Sequence, residues 1–341
     1  MKSIILVGGK GTRLRPLTYE TPKQMLPLVG VPMIESVLAA LAEHGVTDTV
    51  LSLGYLPDRF TEAYPSDVIA GVHVTYAVEP EPLDTAGAIR FAAEWAGFDD
   101  TFLVVNGDVL SDLDVSALLA FHRRHGAEVT IALTPVQDPS RFGVVATDGD
   151  GRVLDFIEKP APGEAPTNLI NAGTYIFEPS ALALIDSSRP VSLEREIFPA
   201  LARHGTLYAL ADDAYWIDTG TPHSYLQANV DVLRGERPER VFAGVVEGSW
   251  RHPSATIDPS ATIINSVVDH HCVVGARVVL EDAVLLPGAV VQSECVIRFS
   301  IVGPEAVIGT GSVLGPTCVV GANEHVAAAS QLSGDVRLGG V

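Results

Sequence analysis

Lysine and cysteine are both rare in this sequence. Only four of the 341 residues are lysine, and acidic side chains outnumber lysine plus arginine by 42 to 22, which gives a formal net charge of −20. A protein this acidic repels nucleic acid and anionic membrane surfaces, so we expect neither as a partner. Any anion that it binds must be held by a local cluster of cations, and three of the four lysines (Lys10, Lys23 and Lys159) fall in two short motifs.

Long apolar runs and paired cysteines are also absent from the sequence. No apolar run is long enough to cross a bilayer, and no charged, apolar and cleavable leader opens the chain, so we expect a cytoplasmic protein. The three cysteines, Cys272, Cys295 and Cys318, show neither close pairing nor the spacing of metal ligands. We therefore expect small buried thiols rather than disulfides or a zinc site.

A glycine-rich, basic stretch lies near the start of the chain, LVGGKGTRLRPLTYETPK at residues 6–23. The β-branched apolar run at 3–7 predicts a buried strand that leads into it. Glycines allow backbone N–H groups to approach an anion, and the cations among and after them neutralise it. The stretch therefore predicts a di- or triphosphate site, and a basic strand-to-loop turn is the structural alternative. Its glycines and cations are Gly8, Gly9, Gly11, Lys10, Arg13, Arg15 and Lys23.

Two common phosphate-binding motifs are excluded by the spacing within this stretch. A Walker loop closes a four-residue gap with Gly-Lys-Ser/Thr, whereas Lys10 is followed by Gly11. A dinucleotide fingerprint has its third glycine three residues after the second, where this chain has Leu14. The phosphate site is therefore of another kind.

Alternating helix and strand patterns follow as far as residue 136. Helices are predicted at 32–45, 57–64, 85–97 and 115–126 and strands at 48–53, 72–78, 101–105 and 128–136, with Asp84 or Thr85 capping the third helix. Further on, a hairpin (142–146 and 153–157), a strand (169–177) and helices at 192–204 and 222–234 are predicted. This pattern is typical of an α/β protein with a mostly parallel sheet that becomes α+β in its second half. Ligands of such sheets bind at the carboxyl ends of the strands, where the glycine stretch and Asp108 both fall.

The last part of the sequence repeats every six residues. Aliphatic residues followed by glycine recur at 302, 308, 314 and 320, after a polar, proline-containing segment at 234–240. Such repeats build a left-handed parallel β-helix in which the aliphatic side chains point inward. We therefore predict a first domain at 1–235, a linker at 236–250 and a β-helix at 251–330. A β-helix serves either as a catalytic platform in acyltransferases or as an assembly surface.

The order of residues in the glycine-rich stretch also carries a resemblance. GGKGTRLRPLT at 8–18, followed by PK at 22–23, resembles the GGxGTRLxPLT and PK signature of the sugar-1-phosphate nucleotidyltransferases. Over residues 1–235 the chain is similar to the NDP-sugar pyrophosphorylases, and most similar to their mannose-1-phosphate guanylyltransferase branch. The resemblance implies a Rossmann-like mixed sheet in a GT-A-like nucleotidyltransferase domain. It further implies transfer of a nucleotidyl group from an NTP, here GTP, to a hexose 1-phosphate, here mannose 1-phosphate, with release of pyrophosphate.

The resemblance implies roles for individual residues at the nucleotide end of the site. Arg13 would stabilise pyrophosphate, Lys23 would bind the phosphates at the reaction centre, and Asp108 would complete the catalytic set. The segment at 79–88 is similar to the nucleobase-binding segment of guanylyltransferases, but Asp84 replaces a glycine there and Gln24 follows Lys23, as in thymidylyltransferases. A thymidylyl- or adenylyltransferase acting on glucose 1-phosphate or another sugar or cyclitol phosphate therefore stays open. The residues implied to bind nucleotide are Leu6, Gly8, Gly9, Gly11, Thr12, Glu79, Thr85, Ala86 and Gly87.

The resemblance also implies which residues bind Mg²⁺ and which bind the sugar phosphate. Asp108 directly follows Gly107, Asp218 lies two residues before Gly220, and both match the metal-binding aspartates of the family. Nucleotidyl transfer needs positioning and charge neutralisation rather than covalent help, and Mg²⁺ prefers one or two carboxylates plus phosphate oxygens. The residues implied to bind the sugar phosphate are Gly143, Glu158, Lys159 and Asn171.

Two other classes of protein fit parts of the sequence. A non-catalytic regulatory subunit would have the same domains, but it would be expected to have lost a member of the charged set. A β-helix acyltransferase would need a catalytic histidine and a longer helix, and the first domain would be unexplained. In any of these classes we expect a homo-oligomer, because parallel β-helix coils expose flat edges.

Overall fold

The computed structural model describes residues 1–237, 245–246 and 248–340. They form two compact units: Met1–Gly9 with Ile34–Trp216, and Lys10–Met33 with the chain from Ile217 onward. The division into 1–235, 236–250 and 251–330 stays a prediction, and part of the predicted linker (238–244 and 247) lies outside the described residues. No helix in the described ranges is long and apolar enough to span a membrane.

A ten-stranded sheet forms the centre of the first unit. Its strands are β1 (Lys2–Leu6), β2 (Asp48–Leu53), β3 (Val68–Ile69), β4 (Val72–Val78), β5 (Phe102–Asn106), β6 (Val129–Pro135), β7 (Gly143–Thr147), β8 (Val153–Glu158), β9 (Leu169–Phe177) and β10 (Leu207–Ala211). Strand β1 lies in the middle, parallel to β2 and β5, and β2 is parallel to β4. These strands read as nearly continuous apolar runs because helices cover both faces of such a sheet.

The other half of the sheet is mixed. Strand β9 is antiparallel to β5, β6 and β7, whereas β10 is parallel to β6. Strands β7 and β8 form the antiparallel hairpin that the sequence predicted. The Rossmann-like mixed sheet of an α/β protein is therefore confirmed. Shorter strands are Pro27–Leu28, Val31–Pro32, Val109–Ser111, Trp216–Asp218 and Val245–Val246.

Six α-helices occur in the described part of the chain. They are α1 (Met33–Glu43), α2 (Asp58–Ala63), α3 (Asp84–Trp95), α4 (Val115–His125), α5 (Phe198–His204) and α6 (Pro222–Arg234). Helix α4 illustrates why they form where predicted. The Asp114 side chain accepts a hydrogen bond from Ala117 N at its start, and Gly126 closes its end in the left-handed conformation.

Two helix predictions were wrong in detail. The cap of α3 is neither Asp84 nor Thr85: the helix starts at Asp84, and its N-cap is Leu83, without a side-chain hydrogen bond. The predicted helix at 192–204 is divided into a π-helix, Leu193–Ile197, and α5. Pro199, in the first turn of α5, has no N–H to donate to the preceding turn, so a continuous α-helical ladder cannot pass through it.

The β-helix of the second unit consists of stacked coils, whose strands pair in parallel to form three sheets, one on each face. Val302 pairs in register with Val320, and Ile308 pairs with Val326 one face further on. The predicted inward positions are buried, with exposed fractions of at most 1% at 302, 308, 314 and 320. This arrangement confirms the predicted hexapeptide β-helix.

The strands of the β-helix run from Ser249 to Leu338 in the described part of the chain. Its strands are Ser249–Arg251, Thr256–Ile257, Thr262–Ile264, Val267–Val268, Val273–Val274, Val279–Glu281, Val284–Leu285, Val290–Val291, Val296–Arg298, Ile301–Val302, Val307–Ile308, Val313–Leu314, Val319–Val320, His325–Val326, Gln331–Leu332 and Arg337–Leu338. Cys272, Cys295 and Cys318 are free, buried thiols in its interior, as predicted. Burial raises the pKa of the Cys272 thiol to about 12, so that thiol stays protonated near neutral pH.

Helix α6 anchors the early segment 10–33 within the second unit. Asn229 is fully buried; its Oδ1 accepts from Val29 N at 2.9 Å, and its amide donates to Tyr225 O in the preceding turn. Tyr225 donates its hydroxyl hydrogen to Pro27 O. The indole of Trp250 lies against the α-carbon of Gly30, where a Cβ atom would be only 2.1 Å from the ring. An early part of the chain is therefore packed against residues about 200 positions later.

Candidate nucleotide and sugar-phosphate site

The carboxyl ends of β1, β2 and β5 coincide in the first unit. Leu6 is in register with Ser52 of β2 and with Asn106 of β5, and Leu6 O accepts from Gly107 N at 3.0 Å. The predicted residues Gly8 and Gly9 follow Leu6, and Asp108 follows Gly107. The sheet therefore brings the start of the glycine stretch and Asp108 to adjacent strand ends, as the sequence predicted.

Glu79 lies directly after β4 at the same edge. Its Oε1 accepts from Ser52 Oγ at 3.1 Å, and its Oε2 accepts from Leu83 N at 3.2 Å. A Cβ atom at Gly8 would be 3.0 Å from Glu79 Oε1, so this carboxyl group touches the backbone of the glycine stretch. Burial raises the pKa of Glu79, and the two hydrogen bonds partly oppose the shift.

The predicted nucleotide-binding residues at the start of α3 form hydrogen bonds with residues 191–194, at the start of the π-helix. Thr85 Oγ1 donates to Glu194 Oε2 and accepts from Leu193 N, both at 2.8 Å. Ala86 N and Gly87 N both donate to Val191 O, at 2.9 and 3.3 Å. These contacts fix the start of α3 against residues 191–194. Nucleotide binding by the three residues stays a prediction.

The predicted sugar-phosphate residues cluster around the β7–β8 hairpin. Gly143 is in register with Glu158, and a Cβ atom at Gly143 would be 2.5 Å from the Phe156 ring. Lys159 adopts a φ of 50°, and its Nζ lies 3.0 Å from Glu158 Oε1. The hairpin therefore places a carboxylate and an ammonium side by side, next to the buried Gly143. Such a pair is suited to a ligand with hydroxyl and phosphate groups.

Asn171 belongs to the same region of the first unit. Strand β9 has an irregularity between Asn171 and Tyr175, where Asn171 Oδ1 accepts from Gly173 N and its amide donates to the Tyr175 hydroxyl, both at 2.9 Å. Gly173, at φ 76°, packs so closely on Asn106 that a Cβ atom would be 2.7 Å from its amide nitrogen. Sequence reasoning missed Asn106, although its place directly before Gly107 and Asp108 at a strand end was a usable signal.

The cations that follow Gly9 belong to the second unit. Lys10, Arg13 and Arg15 lie in the segment 10–18, which we term the signature loop, and Lys23 lies after it. Gly11 has a φ of 58°, and Gly11 O accepts from Thr18 Oγ1 at 2.7 Å. A Cβ atom at Gly11 would contact Thr18 and Lys23 at 3.1 and 3.3 Å. Thr12 begins a short 3₁₀-helix, Thr12–Leu14. Both the conformation and the close packing require glycine at position 11.

Arg13 and Asp218 meet within the second unit. Arg13 Nη2 lies 3.7 Å from Asp218 Oδ2, and the two side chains are 56% and 27% exposed. Asp218 Oδ1 accepts from Gly220 N at 2.7 Å, and a Cβ atom at Gly220 would be 2.5 Å from Arg13 Nη2. Residues 218–220 therefore form a turn that orients Asp218 toward the signature loop. Arg13 is held by a carboxylate yet stays open to solvent.

The two carboxylates that the resemblance implies as metal ligands are Asp108, in the first unit, and Asp218, in the second. No group of three or more His, Cys, Asp or Glu side chains in the described ranges could hold a metal ion. Mg²⁺ needs only one or two carboxylates, because phosphate oxygens and water complete its shell. Each of the two aspartates is therefore a donor of the kind that Mg²⁺ takes beside phosphate oxygens.

A glycine-rich loop at the end of a central strand, with cations after it and acidic groups at neighbouring strand ends, defines a nucleotide-binding α/β protein; here a β-helix follows. The chain belongs to the nucleotidyl transferase family, whose model matches residues 2–235. A second model, described as the GMPPB C-terminal domain, matches residues 245–338.

Several known proteins are similar to this chain. The mannose-1-phosphate guanylyltransferase of Mycobacterium tuberculosis is 42% identical over 244 residues, which cover 71% of this chain and 67% of that protein. The mannose-1-phosphate guanyltransferase of Schizosaccharomyces pombe is 40% identical over 267 residues, covering 75% and 73% of the two chains. The structure of HddC from Yersinia pseudotuberculosis complexed with GMP-PN is 31% identical, with a TM-score of 0.57, and covers 67% of this chain and 97% of that one.

Proposed function

We propose that this protein transfers a guanylyl group from GTP to mannose 1-phosphate, releasing pyrophosphate and forming an NDP-sugar. The observation that carries the proposal is the charged set of the family signature. Arg13, Lys23, Asp108, Lys159 and Asp218 are all present. The names of the M. tuberculosis and S. pombe relatives and the guanine nucleotide bound to HddC favour the guanylyl group and mannose.

The proposed reaction is an in-line attack by an oxygen of the sugar 1-phosphate on the α-phosphorus of GTP, with pyrophosphate leaving on the opposite side. Lys159 contacts the phosphate of the sugar 1-phosphate, and Glu158 holds hydroxyl groups of the sugar. Lys23 neutralises the phosphates at the reaction centre, and Arg13 stabilises the charge that develops on pyrophosphate. No side chain forms a covalent bond in this scheme, so the rate depends on positioning and charge neutralisation.

We assign Asp108 and Asp218 as the residues that would hold Mg²⁺. When bound, the ion neutralises phosphate charge and polarises the α-phosphoryl group. Asp218 has a second role within the chain, because it also holds the guanidinium of Arg13 and the backbone of Gly220. Its carboxylate therefore links the orientation of the signature loop to the charge of the ligand.

Glu79 is our candidate for reading the nucleobase. Guanine presents two adjacent donors, N1–H and the exocyclic amino group, which a carboxylate can accept together, whereas thymine and uracil present one donor beside an acceptor. Each carboxylate oxygen has lone pairs beyond the one that it shares with Ser52 or Leu83. Because burial raises the pKa of Glu79, the carboxylate form is lost at a higher pH than in an ordinary glutamate as the solution is acidified.

A panel of GTP, dTTP, ATP and UTP against mannose 1-phosphate and glucose 1-phosphate tests the proposed function. Pyrophosphate release should show the highest kcat/KM for GTP with mannose 1-phosphate. A higher value for another pair would assign the thymidylyl, adenylyl or other alternative. No release with any pair would contradict an enzyme and favour the regulatory subunit.

The Glu79→Gln variant should change the nucleotide preference. We expect kcat/KM for GTP to fall about ten- to hundredfold, because the amide leaves a guanine donor unpaired at a cost of about 1–3 kcal/mol. The preference of this variant should shift toward dTTP and UTP. In the parent protein the preference for GTP should weaken as the pH falls through the raised pKa of Glu79. Glu81→Gln is the matched control, since Glu81 is exposed two residues further on. An unchanged order of nucleotides in Glu79→Gln would contradict the assignment.

We also propose that the chain forms a homo-oligomer through its β-helix. Ile264 and Val273 are 43% and 40% exposed on two outer faces of the stack, and burial of such apolar edges favours association. Light scattering at micromolar concentration should give a mass of at least twice the 36.0 kDa of one chain. A mass equal to one chain would contradict this prediction.

A further inference from the structure

The last strand of the β-helix contacts the backbone of the signature loop. Arg337 Nη1 donates to Arg13 O at 2.5 Å and lies 3.4 Å from Arg15 O. A guanidinium nitrogen of this kind carries two hydrogens, one for each carbonyl. A β-helix side chain therefore contacts the residue that we place next to the departing pyrophosphate.

Arg337 donates to two carbonyls of the loop that alternate with carbonyls hydrogen-bonded to backbone amides. Amide groups of the loop and the residues that follow it donate to Gly11 O, Thr12 O, Leu14 O and Pro16 O. The carbonyls of Arg13 and Arg15 alternate with these and accept from Arg337 instead. Backbone carbonyls with a charged donor are held more firmly than those facing water. Arg337 therefore completes the hydrogen bonding of this turn.

Asp335 orients the Arg337 guanidinium toward the loop. Arg337 Nε lies 3.3 Å from Asp335 Oδ1 and Nη2 lies 3.4 Å from Oδ2, so the carboxylate occupies the two nitrogens that do not contact the loop. The Arg337 side chain is 34% exposed. A guanidinium held on one edge by a carboxylate loses little rotamer freedom when its other edge binds.

The backbone of the last two coils packs on the same turn. A Cβ atom at either Gly321 or Gly339 would lie 3.1 Å from the Pro16 ring. Any side chain at those positions would push the coil away from the loop by a few tenths of an ångström. Glycine on both coils thus keeps Arg337 within reach of the loop carbonyls.

From these contacts we infer that Arg337 is a positioning residue for nucleotidyl transfer: it fixes the Arg13–Arg15 turn, and through it the Arg13 side chain. The inference rests on the proposed function for its catalytic consequence. The contact between Arg337 and the signature loop, which we term the clamp, can be measured independently of that function. The β-helix then contributes to the reaction in the same chain, in addition to any role in assembly.

Hydrogen exchange and kinetics of the full-length Arg337→Ala variant test this inference. Amide exchange across residues 11–18 should accelerate about tenfold or more, because the turn loses its external donor. The kcat should fall about ten- to hundredfold, with the KM for the sugar 1-phosphate within twofold of the parent value. Arg337→Lys keeps a cationic donor and should recover part of both losses.

Arg298→Ala is the matched control. Arg298 pairs with Glu281 at 2.9 Å on the surface of the β-helix, so this variant removes the same charge and the same kind of ion pair. It should leave loop exchange and kcat unchanged, and its melting temperature should match that of Arg337→Ala.

The outcomes separate this inference from the proposed function. Unchanged exchange and kcat in Arg337→Ala would overturn the inference and leave the proposed function intact. Equal losses in Arg337→Ala and Arg298→Ala, or no recovery in a folded Arg337→Lys variant, would also overturn it. An inactive parent protein would contradict the proposed function, whereas faster loop exchange in Arg337→Ala would still support the clamp.

Discussion

Replacement of Asp108 by Asn should lower kcat by at least about a hundredfold while the protein stays folded. Asn keeps the shape of the side chain at the end of β5 but removes the negative charge that a Mg²⁺ ligand supplies. The Mg²⁺ concentration that gives half-maximal rate should rise as well, because a weaker ligand set needs more free ion. Pyrophosphate release during a Mg²⁺ titration measures both effects.

Asp218→Asn should also lower kcat by at least about a hundredfold, but its cause must be separated from the loss of the Arg13 contact. The amide oxygen can still accept from Gly220 N, so the turn at 218–220 should persist. Arg13 loses its carboxylate partner at 3.7 Å, however. A raised Mg²⁺ requirement in Asp218→Asn, and an unchanged one in Arg13→Ala, would assign the effect to the metal ion.

A charge-matched control is available at Asp99, which is exposed in the loop before β5. Asp99→Asn removes the same charge from the same protein and should leave turnover and the Mg²⁺ requirement unchanged. Rates close to those of the parent protein in both Asp108→Asn and Asp218→Asn would contradict the metal assignment.

The second large effect should distinguish the two ends of the substrate site. Lys159→Ala should raise the KM for the sugar 1-phosphate about ten- to a thousandfold and leave nucleotide binding nearly unchanged, because the ammonium contacts the sugar phosphate. Arg13→Ala should instead lower kcat by a similar factor, because its charge matters most as pyrophosphate leaves. Kinetics combined with calorimetry of each substrate alone measure these effects.

The ion pair of Lys159 requires its own control. Removal of Lys159 also leaves Glu158 without its cation at 3.0 Å. Glu158→Gln keeps the ammonium and removes the partner charge, so it should weaken the sugar 1-phosphate less than Lys159→Ala does. If Lys159→Ala chiefly weakened the nucleotide, the position of the sugar-phosphate site would be wrong. Equal weakening of both substrates in Lys159→Ala and in Arg13→Ala would indicate a general loss of positive charge.

Local patterns in the sequence were sufficient for the elements and for the strand-end part of the site. Apolar runs and glycine positions predicted β1, β5 and the segment after each of them, because the carboxyl ends of parallel strands share one edge of the sheet. The six-residue repeat predicted the β-helix, since each coil repeats the same inward positions. The start of α3 and the division at 193–198 were missed: both depend on backbone details at Leu83 and Pro199 that periodicity does not report.

Long-range packing decided the rest of the candidate site. The sequence alone gave no reason to join the segment 10–33 to the chain beyond 217, or to bring Asn106 against Gly173. Nor did it bring Arg337 to the backbone of Arg13, 324 residues away. A repeat pattern reports which side chains point inward within a coil, but not how far the stack extends or which loop meets its final coil. Those contacts depend on the register of packed backbones, and only the tertiary structure sets that register.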